Sequence, residues 1–426
     1  MNAPLELRPE IDLLARLEQS QWWTPRQIAR AQARRLAAVW RHARATVPFY
    51  RGRAELSLLA RRDIQDAGEA LHSRRVPQSH GATYETQSSG STGEPVKVLG
   101  TGLTQAYWRA LTLREHSWHG RDLEAKLCSI RPVLGDSLPP DGVVRRGWGA
   151  ATDALGGKGA MALLALGTDV GVQAEWLRRH DPEYLLSFPS NLLALAEHFE
   201  RHRLRLPRLR EVRSVGETVT PELIERARAV WNVPVTDLYS SQEVGVIAVQ
   251  CPSGSGLYHV QSESVMVEVL DEQGQPCAPG AVGRVVVSTL HNFAMPLLRY
   301  EIGDYAEAGA ACPCGRGLPT LARIVGRKRN MLVLPNGERR WPLSGFRKFR
   351  DIAPIRQYQL VQHSRARLEA RFVVDRAVSP QEEQRLAAAI REATGDPFEL
   401  QFTYLDSFPP SAAGKFEDFI SLVGQP

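Results

Sequence analysis

The sequence predicts an α/β protein with a large N-terminal domain and a small α+β C-terminal domain. Three stretches of the 426-residue chain carry this prediction. From residue 184 to 239, apolar strands alternate with amphipathic helices, which is typical of parallel sheets flanked by helices. From residue 257, short β runs are separated by Gly/Pro turns, which indicates a small β subdomain. From residue 327, a hairpin pattern and then βαβ texture occupy the rest of the chain.

The segment before residue 80 predicts a helical lead-in. Residues 10–47 show an apolar periodicity of 3.6 without glycine, and Val47-Pro48 ends the pattern. Ten arginines between residues 26 and 62 carry much of the formal charge of +6. Such charge can mark nucleic-acid binding, but no nucleic-acid motif accompanies it. The sequence therefore favours a solvated helical face, with Ile28, Leu36, Val39 and Trp40 on the buried side.

The central elements follow from the same patterns. A helix is predicted over residues 103–118, directly after a loop of small residues. The predicted strands are residues 184–187, 212–215 and 235–239, and the helices between them are residues 191–202 and 221–230. Thr220 is suited to cap the second of these helices.

The composition predicts a cytoplasmic protein without a membrane span. Residues 1–10 contain Glu6 and Glu10 and no apolar core, so no secretory signal is predicted. The most apolar stretch, residues 159–172, is too short to span a bilayer and contains Asp169. Five cysteines in a chain of this length do not indicate a secreted disulfide scaffold.

The loop of small residues between Gln87 and Pro95 can hold a polyphosphate. Glycine lets the backbone N–H groups approach closely, and the hydroxyls add donors without adding charge. The loop is not a Walker A motif, because the chain contains no G-x-x-x-x-G-K-[ST] pattern. The residues expected to face the phosphates are Ser88, Ser89, Gly90, Ser91, Thr92 and Gly93.

Polar motifs follow at predicted strand ends, where ligands bind in open α/β sheets. Gly216 and Glu217 come directly after one strand. Tyr239 ends another and offers a flat face to a purine, and the carboxylate of Glu243 could hold Mg²⁺ on the phosphates. Asp304, after a glycine turn, could accept hydrogen bonds from both ribose hydroxyls.

In this order the motifs resemble those of the adenylate-forming (acyl-activating) superfamily, in particular its short phenylacetate–CoA ligase/CapK-like branch. The loop matches the pattern [ST]-S-G-[ST]-T-G-x-P, Gly326-Arg327 matches the hinge, and Lys415 follows a Gly near the C-terminus. Residues 23–51 resemble the helical lead-in of the branch, and residues 185–190 resemble its y-P-S element. The resemblance thus extends over nearly the whole chain.

The resemblance implies a division of labour along the chain. Residues 1–326 would form the adenylation domain, with a helical lead-in over 1–80 and a zinc-bearing β subdomain over about 251–325. Residues 327–426 would form a mobile lid with the catalytic lysine. For the nucleotide, the resemblance implies that Ser88 to Gly93 bind the phosphates, that Gly216, Glu217 and Tyr239 contact adenine, and that Asp304 binds the ribose. Glu243 would support Mg²⁺, and Arg327 would lie at the hinge. Lys415 would contact the carboxylate and the α-phosphate.

The implied reaction uses ATP and Mg²⁺ to convert a carboxylic acid, aryl or arylacetic, to an acyl-adenylate with release of pyrophosphate. The acyl group then passes to a thiol, that of coenzyme A. An acyl-carrier protein could be the acceptor instead, and a small aliphatic acid or an amino acid could be the substrate. A homodimer is also left open. Ser240, Gln242 and Arg329 depart from the family pattern. The alternative is therefore an adenylation-only or ligand-binding member that forms no thioester.

The acyl pocket is expected between the strand that ends at Val215 and the segment around Phe188. Trp108, Phe188 and Val215 are its candidate walls. Aromatic and aliphatic side chains at such positions also serve as ordinary core, so this alternative stays open.

Four residues could form a structural zinc site. Cys251 and His259 lie close together in the sequence, and Cys312 and Cys314 follow the β segment. Three thiolates and one imidazole suit tetrahedral Zn²⁺, although the spacing is not that of a zinc finger. Many members of the branch carry a comparable zinc, and the alternative is a set of buried reduced cysteines. Cys128 and Cys277 are expected to lie outside any such site.

Overall fold

A computed structural model of the chain describes residues 9–87, 96–132, 138–327, 330–340, 348–394, 398–408 and 416–423. Within these ranges the chain divides into two compact units, one up to Val325 and one from Gly326 onward. The boundary predicted from the sequence, after residue 326, lies one position later. None of the described helices is long and apolar enough to cross a membrane.

The first unit begins with helices α1 (Pro9–Ser20), α2 (Pro25–Thr46) and α3 (Arg61–Ala67). The prediction of one helix over residues 10–47 is wrong at residues 21–24, where α1 ends and α2 begins. Pro25 has no backbone N–H and its ring clashes with the preceding turn, so a continuous helix is disfavoured there. A capping box starts α2 instead: the Gln27 N–H donates to Thr24 Oγ1 (3.3 Å), and the Thr24 N–H donates to Gln27 Oε1 (2.9 Å).

Five of the six arginines of α2 lie on its solvent side, and Arg35 is half-buried. Ile28 and Val39 are buried, and Leu36 and Trp40 pack half-buried against the same core. Five arginines of the helix are exposed: Arg26, Arg30, Arg34, Arg41 and Arg44. The structure therefore confirms the solvated helical face predicted for this segment.

A hairpin and a long helix follow the lead-in. Strands β1 (Thr83–Gln87) and β2 (Lys97–Thr101) are antiparallel, and Gln87 is paired with Lys97. Helix α4 (Gly102–Trp118) starts directly after β2, where the hydroxyl of Thr101 accepts from the N–H of Thr104 at 3.3 Å. The helix predicted over residues 103–118 is confirmed.

The described residues of the first unit form a twelve-stranded sheet. Its strands are β3 (Leu127–Arg131), β4 (Val143–Arg146), β5 (Ala160–Ala165), β6 (Tyr184–Ser187), β7 (Glu211–Val215), β8 (Val235–Ser241), β9 (Gly245–Gln250), β10 (Tyr258–Val260), β11 (Val265–Leu270), β12 (Val282–Thr289), β13 (Tyr300–Ala308) and β14 (Thr320–Arg327). The helices between them in the chain are α5 (Ala150–Ala154), α6 (Val170–His180), α7 (Pro189–Arg201) and α8 (Pro221–Trp231).

Across the sheet the strand order is β11-β12-β13-β14-β10-β9-β8-β7-β6-β3-β5-β4. Strands β5, β3, β6, β7 and β8 are parallel, so the predicted strand–helix alternation is confirmed there. The later strands do not form a separate sheet. Strand β9 turns back antiparallel to β8, and Tyr258 in β10 pairs with Gln250 in β9, so the β segment extends the same sheet.

The second unit contains strands β15 (Leu332–Val333) and β16 (Arg339–Arg340), which form the predicted hairpin. Its remaining elements are α9 (Lys348–Ile352), β17 (Ile355–Ser364), β18 (Arg367–Val374), α10 (Pro380–Thr394), β19 (Glu399–Leu405) and β20 (Phe419–Ser421). The sheet order is β19-β18-β17-β20, and α10 buries Leu386 and Ile390 against the aromatic core around Phe349 and Phe372. The α+β class predicted for this part of the chain is confirmed.

A buried arginine joins α4 to α1 and to the loop between β10 and β11. The side chain of Arg114 is fully buried, and its guanidinium donates to both carboxylate oxygens of Glu263 at 3.1 Å. The same guanidinium donates to Gln261 Oε1 (2.9 Å) and to the carbonyl oxygen of Leu17 (2.6 Å). Four acceptors from two segments therefore compensate the desolvation of one charge.

The next residue of α4, Glu115, joins the helix to β7. Arg121 Nη1 lies 2.6 Å from Glu115 Oε1, and Arg213 of β7 donates to Glu115 Oε2 at 2.9 Å. Arg121 also pairs with Glu211 of β7, at 2.6 Å. Burial alone would raise the pKa of Glu115, but the charges of Arg121 and Arg213 outweigh it and hold that pKa well below its usual range.

We expect Arg114→Met to lower the free energy of unfolding by about 3–5 kcal/mol, because Glu263 then stays buried without its cationic partner. Chemical denaturation of the purified proteins measures this change. The control is Arg178→Met, which removes an exposed pair with Glu175 (3.0 Å) and should cost less than about 1 kcal/mol. Equal losses for the two variants would contradict the assignment of Arg114 as an anchor of α4.

Candidate active site

The predicted phosphate loop, Ser88 to Gly93, lies outside the described residues, and so do Arg329 and the predicted catalytic Lys415. The structure does describe the two strands that flank the loop. Because Gln87 and Lys97 are paired across β1 and β2, the two ends of the loop segment are held at one end of a hairpin.

The predicted adenine and ribose residues lie together. Tyr239, two residues before the end of β8, donates its hydroxyl hydrogen to Asp304 Oδ2 at 2.8 Å. Asp304 lies in β13, which is not a neighbour of β8 in the sheet, so the contact depends on the curvature of the sheet. The ring of Tyr239 is largely buried and the carboxylate of Asp304 is half-buried. An aromatic ring beside a carboxylate is the combination that a nucleoside needs.

The predicted residues at the end of β7 form a second group. Gly216 has a φ of 85°, and a Cβ there would lie 3.0 Å from the ring of Phe188, so glycine suits both the backbone and the close contact. The carboxylate of Glu217 accepts from the N–H (2.9 Å) and the hydroxyl (3.1 Å) of Ser190 in the first turn of α7. Glu217 therefore stabilises the start of a helix, which is a role that the sequence analysis did not assign to it.

Glu243 has a cationic neighbour that the sequence analysis did not identify. Arg61 Nη1, at the start of α3, lies 3.4 Å from Glu243 Oε1, and both side chains are mostly buried. The two residues are 182 positions apart, so no local pattern could have indicated the pair. The arrangement gives the predicted metal-supporting carboxylate a fixed position before any cation binds.

Glu243 also lines a cavity of about 310 Å³ in the first unit. The walls come from the β1–β2 hairpin, from α4, from residues 242–246 and from residues 289–292. Of the three predicted pocket residues, Trp108 lines this cavity, whereas Phe188 and Val215 are not among its lining residues. Tyr107 and His291, which the sequence analysis did not select, are part of the wall.

The four predicted metal ligands converge. Their ligand atoms, from Cys251, His259, Cys312 and Cys314, all lie within 4.8 Å of one another. The Sγ atoms of Cys251 and Cys312 are 3.6 Å apart, and Cys314 Sγ is 3.3 Å from Nε2 of His259. Burial lowers the pKa of His259 to about 4, which keeps the imidazole neutral as a ligand requires. Cys128 and Cys277 are not in this group.

One predicted hinge residue is held by its neighbours in the second unit. The backbone N–H of Arg327 donates to Asn330 Oδ1 at 3.0 Å. The amide of Asn330 in turn donates to the carbonyl oxygen of Phe419 at 2.6 Å. Asn330 therefore ties the start of this unit to strand β20.

The sequences similar to this chain belong to AMP-binding enzymes and coenzyme A ligases. The family model of AMP-binding enzymes matches residues 153–295. A phenylacetate-coenzyme A ligase of Thermus thermophilus is 28% identical over 200 residues, which cover 44% of this chain and 45% of that protein. The phenylacetate-coenzyme A ligase of Escherichia coli is 25% identical over 374 residues, which cover 80% of each protein.

Solved structures share the fold at lower identity. A 2-hydroxyisobutyryl-CoA ligase in its postadenylation state superimposes with a TM-score of 0.72 and 18% identity, covering 99% of this chain and 94% of that one. An anthranilate CoA ligase in complex with anthranoyl-AMP gives a TM-score of 0.56 at 14% identity, covering 78% of this chain and 65% of that one. In its AMP-binding segment, in its sequence and in its fold, the chain is therefore similar to AMP-forming coenzyme A ligases of the adenylate-forming superfamily.

Proposed function

We propose that this protein joins a carboxylic acid, aryl or arylacetic, first to AMP and then to coenzyme A. In the first step, a carboxylate oxygen attacks the α-phosphorus of ATP, the bond from that phosphorus to the bridging oxygen breaks, and pyrophosphate leaves. In the second step, the deprotonated thiol of coenzyme A attacks the acyl carbon, and AMP leaves as the thioester forms. The likeness to phenylacetate–CoA ligases over most of the chain supports this sequence of steps.

The observation that carries the proposal is the contact between Tyr239 and Asp304. The two residues are 65 positions apart, and their side chains meet at 2.8 Å. The ring would stack on adenine while the carboxylate accepts from the ribose hydroxyls. Glu243 would hold Mg²⁺, which supplies positive charge to the phosphates, and a carboxylate beside the phosphate-loop hairpin is a suitable ligand for that ion.

Lys415 is the proposed catalytic residue of the first step. Its ammonium group would contact the attacking carboxylate and the α-phosphate, where negative charge develops on the phosphoryl oxygens. Because it would contact groups that change during the reaction, its contribution should appear in the rate rather than in nucleotide affinity.

The direct test is pyrophosphate release from ATP with a panel of aryl, arylacetic and short aliphatic acids, with and without coenzyme A. We expect one acid class to stimulate release, and coenzyme A to raise it further. Lys415→Ala should lower the rate by about 10²-fold or more while ATP still binds, and Lys158→Ala, at an exposed lysine outside the site, serves as the control. If the protein binds ATP but none of the acids stimulates pyrophosphate release, the proposal is contradicted. Stimulation by acids without any effect of coenzyme A would favour the adenylation-only alternative or a carrier-protein acceptor.

Tyr239→Phe tests the nucleoside site. The variant keeps the stacking ring but removes the donor to Asp304, which we expect to raise the KM for ATP roughly fivefold with little change in kcat. The matched control is Tyr305→Phe, since the hydroxyl of this neighbouring tyrosine donates to Glu272 at 3.1 Å. A KM for ATP that stays unchanged in Tyr239→Phe would argue against nucleoside binding at this contact.

We further propose that Cys251, His259, Cys312 and Cys314 hold a structural Zn²⁺. In a tetrahedral site with Zn–S bonds of about 2.3 Å, two sulfur atoms lie about 3.8 Å apart. The separation of 3.6 Å between the Sγ atoms of Cys251 and Cys312 fits this geometry. Four protein ligands complete the coordination of the ion, so the site would stabilise the fold and would leave no position for a substrate.

Purified protein should therefore contain about one zinc per chain, and Cys312→Ser should lose it together with part of the thermal stability. Metal analysis and the melting temperature measure these two effects. Cys277→Ser is the control, since Cys277 is not in the cluster. Protein that is folded, never exposed to chelator and free of zinc would rule the site out.

A further inference from the structure

His291 is a polar residue buried in the wall of the cavity. It lies two residues after β12, only 8% of its surface is exposed, and it is one of the residues that line the cavity. Its ring stacks on that of Tyr107 in α4, with a centroid separation of 4.1 Å and an interplanar angle of 26°. The ring is therefore held in one orientation by a neighbour that itself lines the cavity.

The hydrogen bonds of His291 determine its tautomer. Nδ1 lies 3.2 Å from the carbonyl oxygen of Ser264 and 3.4 Å from the hydroxyl oxygen of the same residue. A carbonyl oxygen only accepts, so Nδ1 carries the hydrogen. Burial lowers the pKa of His291 to about 3, so the ring is neutral at physiological pH and Nε2 presents a lone pair.

No described residue donates to Nε2 of His291. Two polar neighbours in the cavity wall, Asn292 and Thr104, are already engaged. The amide of Asn292 donates to the carbonyl of Leu99 (2.8 Å) and its oxygen accepts from the N–H groups of Ala294 and Met295. The hydroxyl of Thr104 donates to the carbonyl oxygen of Thr101 at 2.7 Å. The Nε2 acceptor of a fixed, largely buried ring thus remains for whatever occupies the cavity.

We propose that the acid bound by this protein carries a hydroxyl or amino group that donates a hydrogen bond to Nε2 of His291. This inference rests on the proposed function, since it takes the cavity beside Glu243 as the acyl pocket. A ligand without a donor would displace water from Nε2 and leave the acceptor unsatisfied, and such a group is costly to bury. His291 would then be a specificity-determining residue, which selects among acids without taking part in the transfer of the acyl group.

The test compares matched acids that differ in one group: phenylacetic, hydroxyphenylacetic and methoxyphenylacetic acids in each ring position, and benzoic against aminobenzoic acids. Titration calorimetry gives the Kd of each acid independently of turnover, and pyrophosphate release gives kcat/KM. We expect one hydroxy or amino isomer to bind about tenfold or more tightly than its unsubstituted and methoxy counterparts. The methoxy acids separate the effect of a donor from that of size, because their oxygen can only accept.

Two substitutions at His291 locate the effect. His291→Asn keeps a short amide that can donate to Ser264 but removes the acceptor at Nε2, so the hydroxy or amino isomer should lose its advantage and bind about as tightly as the unsubstituted acid. His291→Gln extends a polar group toward the position of Nε2 and should restore part of the preference. Tyr107→Phe keeps the stacked ring and should leave the preference intact. Melting temperatures confirm that the variants are folded.

Equal Kd values within every matched set, or failure of all the acids to bind, would overturn the assignment of His291. A preference that persists in His291→Asn and disappears in Tyr107→Phe would overturn it as well, and would transfer the role to the tyrosine hydroxyl. Donor-dependent binding without pyrophosphate release would support the assignment and contradict the proposed function. Failure of the two proposals is therefore distinguishable.

Discussion

The position of α4 depends on two buried charges that are adjacent in the sequence. Arg114 and Glu115 point to different sides of the helix, and each is compensated by partners from other segments. A buried charge that loses its partner is strongly destabilising, so the helix can neither rotate nor slide by one residue without exposing or orphaning both groups. Apolar packing alone tolerates such shifts more readily, because one methyl group can replace another. The ion networks therefore set the register of α4.

The register of α4 positions several parts of the site. Tyr107 and Trp108, two turns before the buried pair, line the cavity, and Tyr107 orients the ring of His291. On the other side, Arg213 links Glu115 to β7, the strand that ends directly before Gly216. At the end of the helix, Trp118 packs edge-on against His259 of the cysteine–histidine cluster, with ring centroids 5.6 Å apart. The cavity, the end of the strand and the candidate zinc site thus share one helix as a common support.

The sequence predicts much of this fold because its signals are local. The alternation of strands and helices from β6 to β8 follows from side-chain periodicity, and the convergence of Cys312 and Cys314 on Cys251 follows from ligand chemistry. Contacts between distant residues of ordinary type leave no such signal. Arg61 is one of ten arginines in its segment, and nothing near it indicates Glu243 as its partner. Strand-end logic predicts Phe188 and Val215 as pocket walls, but neither lines the cavity along α4, so their role stays a prediction.

The same difference between local signals and distant contacts applies to the two kinds of residue proposed for the site, those for the nucleotide and those that face the acid. The groups proposed for the nucleotide stand at motif positions, because every acid would require the same attack on the same phosphorus. Tyr239, Glu243 and Asp304 could therefore be selected from the sequence. The groups that face the acid have no such constraint and must differ as the substrates do. His291 is a buried acceptor whose other nitrogen is already used by Ser264, and a fixed lone pair discriminates between ligands more sharply than an apolar wall does. Under the proposed function, selection of the acid would therefore depend on contacts between α4 and the segment after β12, which only the folded chain brings together.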